Sequence, residues 1–525
     1  MIRRLFALGL ATALLLPAAS AQAQNFPTTD SIIKRIWTLG MDSSQAGTLA
    51  QALMDSIGPR LTGSPGQKSA NDWAVAQYTR WGISARNVQY GTWKGWKRGY
   101  THIDLLRPRV RTLEGMMLAW SPGTKGKPVE GPVMVLPDAA DSVSFAAALS
   151  KVKGAYVLTS FAEPACRADS SYKQSATPDG FDRMVKERTA ARDAWTARTK
   201  RTGLDNRNLP KALERAGARG VITTTWSNGW GAVRIFDAKT EQVPTLGMSC
   251  EDYGLLFRLA ERNQGPVIRV AAEAEWQGEI PVFNTIAEIP GTEKPDEYVV
   301  LSAHFDSWDG SSGATDNGTG SVTMMEAMRI LKEVLPRPKR TIIVGHWSGE
   351  EQGLNGSRAW AADNPKVVAG LQALFNQDNG TGRVVNIGAA GLVGAPPFLA
   401  GWLSRVPQEL TRHINNFALP GTPPGGGSDN AAFACYGAPG FGLGSLPWEY
   451  FSYTWHTNRD TFDKVVLEEL KGNATLTAML AYQASEDPNT VPRDRRVMPV
   501  NQNTQQPGTW PECVKPARTS AEYTR

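Results

Sequence analysis

Long apolar runs and clustered basic residues are both missing from this 525-residue sequence. Beyond the N-terminus no stretch approaches the roughly 18 consecutive apolar residues of a membrane-spanning helix. The formal charge is only +6, and the lysines and arginines are not gathered into one run. We therefore expect no membrane association of the processed chain and no nucleic-acid partner.

Cysteine and histidine are also scarce. The four cysteines, Cys166, Cys250, Cys435 and Cys513, are spaced too widely for a zinc knuckle, which favours structural bridges or buried thiols. Four cysteines pair in three ways, and the sequence does not choose among them. Only five histidines are present, so a histidine beside carboxylates at the end of an apolar run is informative.

The N-terminus has the pattern of a cleavable secretory signal. Arg3 and Arg4 precede the apolar run Leu5 to Leu16, and the small-residue pattern Ala21-Gln22-Ala23 follows. We predict cleavage after Ala23 and a mature protein that is periplasmic or secreted. Such a compartment permits disulfides.

Changes in composition along the chain predict five parts. Short apolar runs separated by turn signals, with a charged helical stretch near 181–201, indicate a small inserted domain that we predict to be mainly β. The predicted parts are a signal peptide 1–23, an N-terminal part of the catalytic domain 24–120, the inserted domain 121–278, the main catalytic domain 279–495 and a C-terminal tail 496–525.

The main domain alternates apolar strands with helical stretches. Strands are predicted at Tyr298 to His304, Thr341 to Trp347 and Leu371 to Gln377. Parallel strands joined by helices of this length form right-handed crossovers. We predict an α/β fold, a three-layer sandwich with a largely parallel central sheet, and a site at the carboxyl ends of its strands.

Side chains that bind metals follow all three predicted strands. His304 ends the first strand, Asp306 follows it, and Asp316 lies in the glycine-rich loop beyond. An Asp two residues from a His is spaced to hold one imidazole nitrogen while the other binds a metal. The later candidates are Glu350 and Glu351 after the second strand, Asp378 after the third, and His456 with Asp460 farther along.

This ligand set predicts a pair of zinc ions. Imidazole nitrogen and carboxylate oxygen suit zinc or a similar divalent ion, and two histidines with three or more carboxylates exceed one tetrahedral zinc. Two ions that share a carboxylate would use the whole set and would activate water for hydrolysis. One of the adjacent glutamates is then left as a general base.

The same motifs resemble a known family. HFD, ATDNGTG, GEEQGLNGS, QDN, GGGSDNAAF and WHTNRDT, in this order, are similar to the motifs of the co-catalytic zinc metallopeptidases, which include leucyl-type aminopeptidases and glutamate carboxypeptidases. IGPRLTGSPG and the insertion resemble the plasma glutamate carboxypeptidase branch. That resemblance implies a zinc exopeptidase fold, an inserted protease-associated domain and a possible homodimer.

Residue roles follow from the resemblance. It implies two Zn²⁺ per chain, with Asp316 bridging them and Glu350 acting as general base, while Asp306 orients His304. The implied ligands are His304, Asp316 and Asp378 on one ion and Asp316, Glu351 and His456 on the other. The tentative substrate or supporting residues are Ser428, Asp429, Tyr453 and Asp460. Trp455 stands at a position where several relatives have a tyrosine or histidine. The sequence therefore does not identify the residue that donates a hydrogen bond to the oxyanion.

The expected function is hydrolysis of short peptides by an aminopeptidase or dipeptidase. A carboxypeptidase of the glutamate carboxypeptidase type is the alternative. Such an enzyme would need a fixed cation to bind the terminal carboxylate of its substrate, and the sequence does not say which arginine reaches the site. A single-zinc glutaminyl cyclase and a metal-free receptor-like binding protein are weaker alternatives, since every ligand and the base are present. No G-x-S-x-G motif follows a strand, which argues against a serine hydrolase.

Overall fold

A computed structural model describes residues 28–500 and 505–523 of the chain. The predicted signal peptide lies outside the described residues. The helices are α1 Ser31–Trp37, α2 Ala46–Gln51, α3 Pro65–Arg80, α4 Ser142–Ala148, α5 Asp169–Ser175, α6 Pro178–Arg201, α7 Asn208–Arg215, α8 Cys250–Glu261, α9 Thr319–Val334, α10 Asn355–Asp363, α11 Pro365–Ala369, α12 Pro396–Leu403, α13 Gln408–Thr411, α14 Ala431–Ala434 and α15 Leu467–Glu486.

The strands complete the framework. They are β1 Ser84–Arg107, β2 Arg111–Thr112, β3 Gly115–Met117, β4 Val129–Val135, β5 Tyr156–Leu158, β6 Gly220–Thr223, β7 Thr245–Met248, β8 Val267–Ile289, β9 Lys294–His304, β10 Arg340–Trp347, β11 Leu371–Asn376, β12 Val384–Gly388, β13 Asn416–Ala418 and β14 Gly440–Ser445. In the described part of the chain, no helix is long and apolar enough to cross a bilayer.

The central sheet is mixed but largely parallel. Its middle strands run in the order β14-β11-β9-β10, and each adjacent pair is parallel. Strand β8 continues the sheet antiparallel to β10, and β12 continues it antiparallel to β14 on the other side. The fold class predicted from the alternation of strands and helices is confirmed.

Helices cover both faces of this sheet. In β9, Val299 and Leu301 join the apolar cluster that contains α9 and α15, whereas Val300 faces the opposite cluster. That second cluster includes Trp360 of α10 and Phe433 of α14. Because both faces are buried, these strands are continuously apolar rather than alternating, which is why their positions were predictable.

The inserted region contains more helix than the predicted mainly β domain. Strands β4, β5, β6 and β7 are parallel to one another, and parallel neighbours need crossover connections, which are usually helical. Helices α4 to α7 lie in those connections, and α8 follows β7. The region has its own apolar cluster, in which Tyr253 and Leu256 of α8 pack against Tyr156, Leu158 and Ile222 of the strands.

The long strand β8, its antiparallel partner β1 and two disulfides tie the parts together. Strand β8 pairs with β4 at Val267–Val270 and with β10 near its end, so one continuous strand serves the inserted and the main sheets. Cys166 bonds to Cys250 inside the inserted region. Cys435 bonds to Cys513 and fixes the C-terminal segment to the main domain. All four cysteines are therefore used, in one of the three possible pairings.

Candidate metal centre

The predicted metal-binding residues meet at the carboxyl ends of the parallel strands. His304 is the last residue of β9, while Glu350 and Glu351 lie in the turn after β10 and Asp378 lies just after β11. Asp316 lies in the short Ala314–Gly318 turn that leads into α9. His456 arrives from a distant part of the chain, just after the Tyr450–Thr454 turn.

These side chains form two adjacent donor clusters. In the first, Nε2 of His304 lies 3.0 Å from Oδ1 of Asp378 and 3.3 Å from Oδ1 of Asp316. In the second, Nε2 of His456 lies 3.0 Å from Oε2 of Glu351 and 3.2 Å from Oδ2 of Asp316. Within each cluster the donor atoms all lie within 4.8 Å of one another. Asp316 therefore offers one carboxylate oxygen to each cluster.

The chemistry and spacing of the donors fit a pair of divalent ions. Donors bound about 2.0–2.2 Å from a tetrahedral zinc are separated by roughly 3.3–3.6 Å, which is close to the observed separations of 3.0–3.3 Å. Imidazole and carboxylate ligands are those that zinc accepts. One carboxylate shared between two such sets is the arrangement that a two-metal site requires.

The electrostatics of the clusters also favour cations. Burial lowers the pKa of His456, but the carboxylates of Glu351 and Asp316 outweigh it and raise that pKa to about 10. The pKa of His304 is likewise raised against the effect of burial, mainly by Asp378 and Glu350. A field that raises the pKa of two buried histidines attracts positive charge, and divalent ions satisfy it best.

Asp306 is placed differently from the expectation. Nδ1 of His304 lies 3.0 Å from the backbone carbonyl of Asp306, whereas the Asp306 carboxylate is 3.7 Å from that nitrogen. The carboxylate instead accepts hydrogen bonds from the backbone N–H groups of Glu350 and Glu351 and from the Thr62 hydroxyl. The cause is that β9 ends at His304, so the strand spacing that would align both side chains stops before Asp306. Asp306 thus holds the two glutamates, while its backbone carbonyl and, at a longer distance, its carboxylate both face Nδ1 of His304.

Asp460 and Arg60 shape the loop that carries Asp316. The carboxylate of Asp460 accepts the backbone N–H groups of Thr315 and Asp316 at 2.8 and 3.0 Å. Burial raises the pKa of Asp460 to about 7 in spite of these bonds. Arg60 is fully buried and donates to the backbone carbonyls of Phe305, Gly58, Ser312 and Gly313. Asp460 is among the residues predicted from the sequence, whereas Arg60 is not.

Glu350 faces a cavity beside both clusters. The cavity has a volume of about 570 Å³, which suits a small ligand. Burial raises the pKa of Glu350 well above its ordinary value, as do the carboxylates of Asp378, Glu351 and Asp429, while His304 opposes them. The cavity is lined by Asp316, Glu350, Glu351, Gly353, Leu354, Arg358, Asp378, Asn379, Gly426, Gly427, Tyr450, Phe451, Trp455 and His456.

Ser428 and Asp429, in the loop 425–430, lie behind the cavity wall. The wall itself is made by Gly426 and Gly427. Ser428 accepts a hydrogen bond from the Asn376 side chain at 2.8 Å. Asp429 is fully buried, and burial raises its pKa to about 7. These two residues therefore support the wall rather than form its surface.

Tyr453 is not in the cavity, and Tyr450 takes the place expected for it. The Tyr453 ring packs against Gly229 of the inserted region, where an added Cβ would lie 2.8 Å from the ring. Tyr450 is 4% exposed and lines the cavity. Both tyrosines occur in the stretch EYFSYTWH, and their distance from the final histidine along the chain gave no means of choosing between them.

The inserted region contacts the His456 segment directly. The backbone N–H of Ile235 donates to the carbonyl of His456 at 2.8 Å. The Phe236 ring meets the His456 ring edge-on at 5.3 Å, and Trp455 stacks on that ring at 3.9 Å. The Asn458 side chain bonds to the backbone of the inserted region at Val233 and Gly231. One wall of the metal centre is thus held by residues that belong to the insertion.

The site belongs to the part of the chain that is similar to known peptidases. Residues 284–481 match the model of Peptidase family M28. The chain is 25% identical to carboxypeptidase Q of Rattus norvegicus over 447 residues, which is 84% of this chain and 85% of the relative. It is 24% identical to carboxypeptidase Q of Homo sapiens over 448 residues, with the same coverage.

Solved structures share the fold. A Peptidase M28 precursor from Shewanella amazonensis superposes with a TM-score of 0.62 at 22% identity, covering 89% of this chain and 98% of that one. A zinc aminopeptidase from Bacillus subtilis superposes with a TM-score of 0.54 at 18% identity, covering 86% and 96%. These similarities place the central sheet and its helices in one known architecture.

Proposed function

The chain belongs to the co-catalytic zinc metallopeptidases through its M28 segment, residues 284–481, and from this premise we propose that it is an exopeptidase that cleaves short peptides with two bound zinc ions. The carrying observation is the carboxylate of Asp316, which gives one oxygen to the His304 cluster and the other to the His456 cluster. The proposed ligands are His304, Asp316 and Asp378 on one ion and Asp316, Glu351 and His456 on the other.

The chain's own residues divide the work around this pair. Zinc bound there supplies a Lewis acid that polarises the peptide carbonyl and activates water. Glu350 takes a proton from the attacking water and passes it to the departing amine. Asp306 fixes the backbone of Glu350 and Glu351, and Asp460 fixes the backbone of Asp316. Tyr450 lines the cavity and is our candidate donor to the developing oxyanion.

The cavity and the insertion support short substrates. A volume of about 570 Å³ accommodates a ligand of a few residues. The inserted region, which we propose to be a protease-associated domain, approaches the cavity through its contacts with the His456 segment. We propose that it limits substrate length. Residues Phe451 and Trp455 at the wall offer apolar surface for a substrate side chain.

We also propose that the protein is exported. The N-terminal pattern of Arg3, Arg4 and the apolar run Leu5 to Leu16 supports a secretory signal. Two disulfides in the described part of the chain, and no cysteine left over, agree with an oxidising compartment.

The experiment is a hydrolysis panel on the purified mature protein. The substrates are free dipeptides, N-blocked dipeptides, aminoacyl anilides and an unfolded protein, each tested before chelation, after chelation and after zinc is restored. The proposal expects cleavage of short unblocked substrates that chelation abolishes and zinc restores. Cleavage of N-blocked dipeptides would move the activity to carboxypeptidase. Equal rates on dipeptides and on the unfolded chain would remove the length limit, and activity that resists exhaustive chelation would reject the metallopeptidase mechanism.

A further inference from the structure

The cavity beside Glu350 is lined by one arginine, Arg358. Among its lining residues, Asp316, Glu350, Glu351 and Asp378 are acidic, and Arg358 is the only lysine or arginine. Asp316, Glu351 and Asp378 are proposed zinc ligands, whose charge the ions would neutralise, whereas Glu350 would repel a substrate carboxylate unless a cation faces it. The sequence does not say which arginine reaches the site, and the structure identifies it as Arg358.

Arg358 stands on a rigid support. It lies in α10, whose start is tied to the turn after β10 by the bonds from Asn355 N–H to the Gly349 carbonyl and from Gly356 N–H to the Ser348 carbonyl. Two residues farther along α10, Trp360 packs against Trp347 and Phe433 in the core. The general base, a proposed zinc ligand and Arg358 thus share one short stretch of chain whose position is fixed by packing.

Most of the donors of the Arg358 guanidinium are left for a ligand. A guanidinium carries five N–H donors, and the bond found for this one joins its Nη1 to the Gly353 carbonyl at 2.8 Å. The described residues place no carboxylate within ion-pair distance of it. Partial burial lowers the pKa of Arg358, and Asp429 and Glu350, which oppose this effect, act on it only at longer range. Arginine remains charged under these conditions.

Resting on the zinc exopeptidase function proposed above, we propose that Arg358 binds the C-terminal carboxylate of the substrate and so selects short peptides with a free C-terminus. The planar guanidinium matches a carboxylate in a two-pronged hydrogen-bonded pair. In a dipeptide that carboxylate lies within one residue of the bond to be cleaved, and Arg358 lies in the same cavity as the proposed base. The substrate class is therefore free dipeptides and similarly short free peptides, in preference to their C-terminal amides.

The alternative role for Arg358 is to change the electrostatics of the site without contacting the substrate. In that case its charge only offsets Glu350 and Asp429, and its loss would slow free and amidated substrates by the same factor. A ratio of two substrates separates the two roles, because a general disturbance of the base cancels from the ratio.

The test compares kcat/KM for one dipeptide with that for its C-terminal amide, using zinc-loaded wild type, Arg358→Gln and Arg358→Lys. We expect wild type to prefer the free acid, Arg358→Gln to reduce that preference roughly ten- to hundred-fold, and Arg358→Lys to give an intermediate value with KM most affected. Arg337→Gln is the matched control, since Arg337 is exposed in the connection that precedes β10, at the far end of the strand.

Three results would overturn the inference. Wild type that cleaves acid and amide equally, or Arg358→Gln that slows both equally while its zinc content is normal, rejects the carboxylate role and leaves the exopeptidase function standing. Zinc-loaded wild type that hydrolyses neither substrate rejects the proposed function, and the carboxylate subsite with it. If Arg358→Gln does not fold, the acid-to-amide preference of Arg358→Lys alone tests the carboxylate role. That variant keeps the positive charge and loses the planar pair of N–H donors.

Discussion

At the scale of single residues, Glu350 and Glu351 are neighbours in sequence but have different surroundings. Glu351 directs Oε2 to His456 at 3.0 Å. Glu350 faces the cavity and interacts with Asp378 and His304 on the other side of the site. Their backbone N–H groups both donate to the Asp306 carboxylate. The turn therefore directs one side chain to a metal cluster as a ligand and the other to the cavity as a base.

The first prediction concerns Glu350→Gln. The substitution keeps the shape and removes proton transfer, which is worth roughly 10²–10⁴-fold in rate. We expect kcat to fall by that factor while zinc content stays at the wild-type value, measured by elemental analysis and steady-state kinetics. Glu333→Gln is the control, since Glu333 is exposed near the end of α9. Loss of zinc from Glu350→Gln would make Glu350 a ligand instead.

The second prediction separates shared from single ligands. Asp316→Ala removes an oxygen from both clusters, so both sites should empty during dialysis against metal-free buffer. Asp378→Ala removes a donor from the His304 cluster alone, so one ion per chain should remain. Elemental analysis of both variants decides the matter, and two tightly held ions in Asp316→Ala would contradict the bridging role.

At the scale of elements, the strands of the main domain were predictable and the inserted region was not. The strand predicted at Tyr298 to His304 corresponds to β9 Lys294–His304, and the strand predicted at Thr341 to Trp347 corresponds to β10 Arg340–Trp347. The buried parts of these strands are mostly apolar because helices cover both faces, and that pattern is strong, whereas the first residues of β9 are polar and partly exposed. In the insertion, strands such as β5 Tyr156–Leu158 are too short for periodicity to show whether helices join them.

The same contrast holds for the site. Most ligand candidates were visible because they end or follow an apolar strand, and the order of the strands brings His304 and Asp378 together. His456 follows the Tyr450–Thr454 turn instead and was recognised from its motif. Arg60, Tyr450 and Arg358 were missed as site residues because their positions depend on packing between distant segments. Phe236 reaches His456 only because the insertion folds back on the catalytic domain. The spacing of residues along the sequence does not reveal such contacts.

The third prediction tests Arg60 as the support of the loops around the site. Its guanidinium donates to the backbone carbonyls of Phe305, Ser312 and Gly313, at the two ends of one loop, and to the carbonyl of Gly58. Arg60→Gln leaves most of them buried without a donor, which costs about 1–3 kcal/mol for each unsatisfied group. We expect the free energy of unfolding to fall by roughly 3–5 kcal/mol in denaturant titrations. Arg80→Gln, at an exposed position in α3, is the control. Equal unfolding midpoints for the two variants would reject this role.

At the scale of the whole molecule, the two disulfides stabilise different parts. The Cys166–Cys250 bond closes a separation of 84 residues inside the insertion, and Cys435–Cys513 closes 78 residues and attaches the C-terminal segment. That segment also contacts the core of the molecule, because the backbone N–H of Ala517 donates to Asn355 at the start of α10. The tail therefore braces the helix that carries Arg358.

The fourth prediction follows from these loop lengths. Replacing Cys435 and Cys513 together by Ser should lower the free energy of unfolding by about 2–4 kcal/mol. It should also make residues 505–523 more sensitive to limited proteolysis than they are in wild type. The matched variant is the double Ser replacement of Cys166 and Cys250, which should lower stability and leave the tail protected. An unchanged unfolding midpoint and an unchanged digestion pattern in the first variant would show that the bond does not stabilise the fold.

The central claim is that two histidines, three carboxylate ligands and one separate base build a two-zinc site. The most direct measurement is elemental analysis of the purified mature protein after removal of loosely held metal, with protein concentration determined independently. Two zinc ions per chain, falling to one in Asp378→Ala and to none in Asp316→Ala, is the predicted result. One zinc per chain in wild type, or none that survives purification while peptide hydrolysis continues, would contradict it.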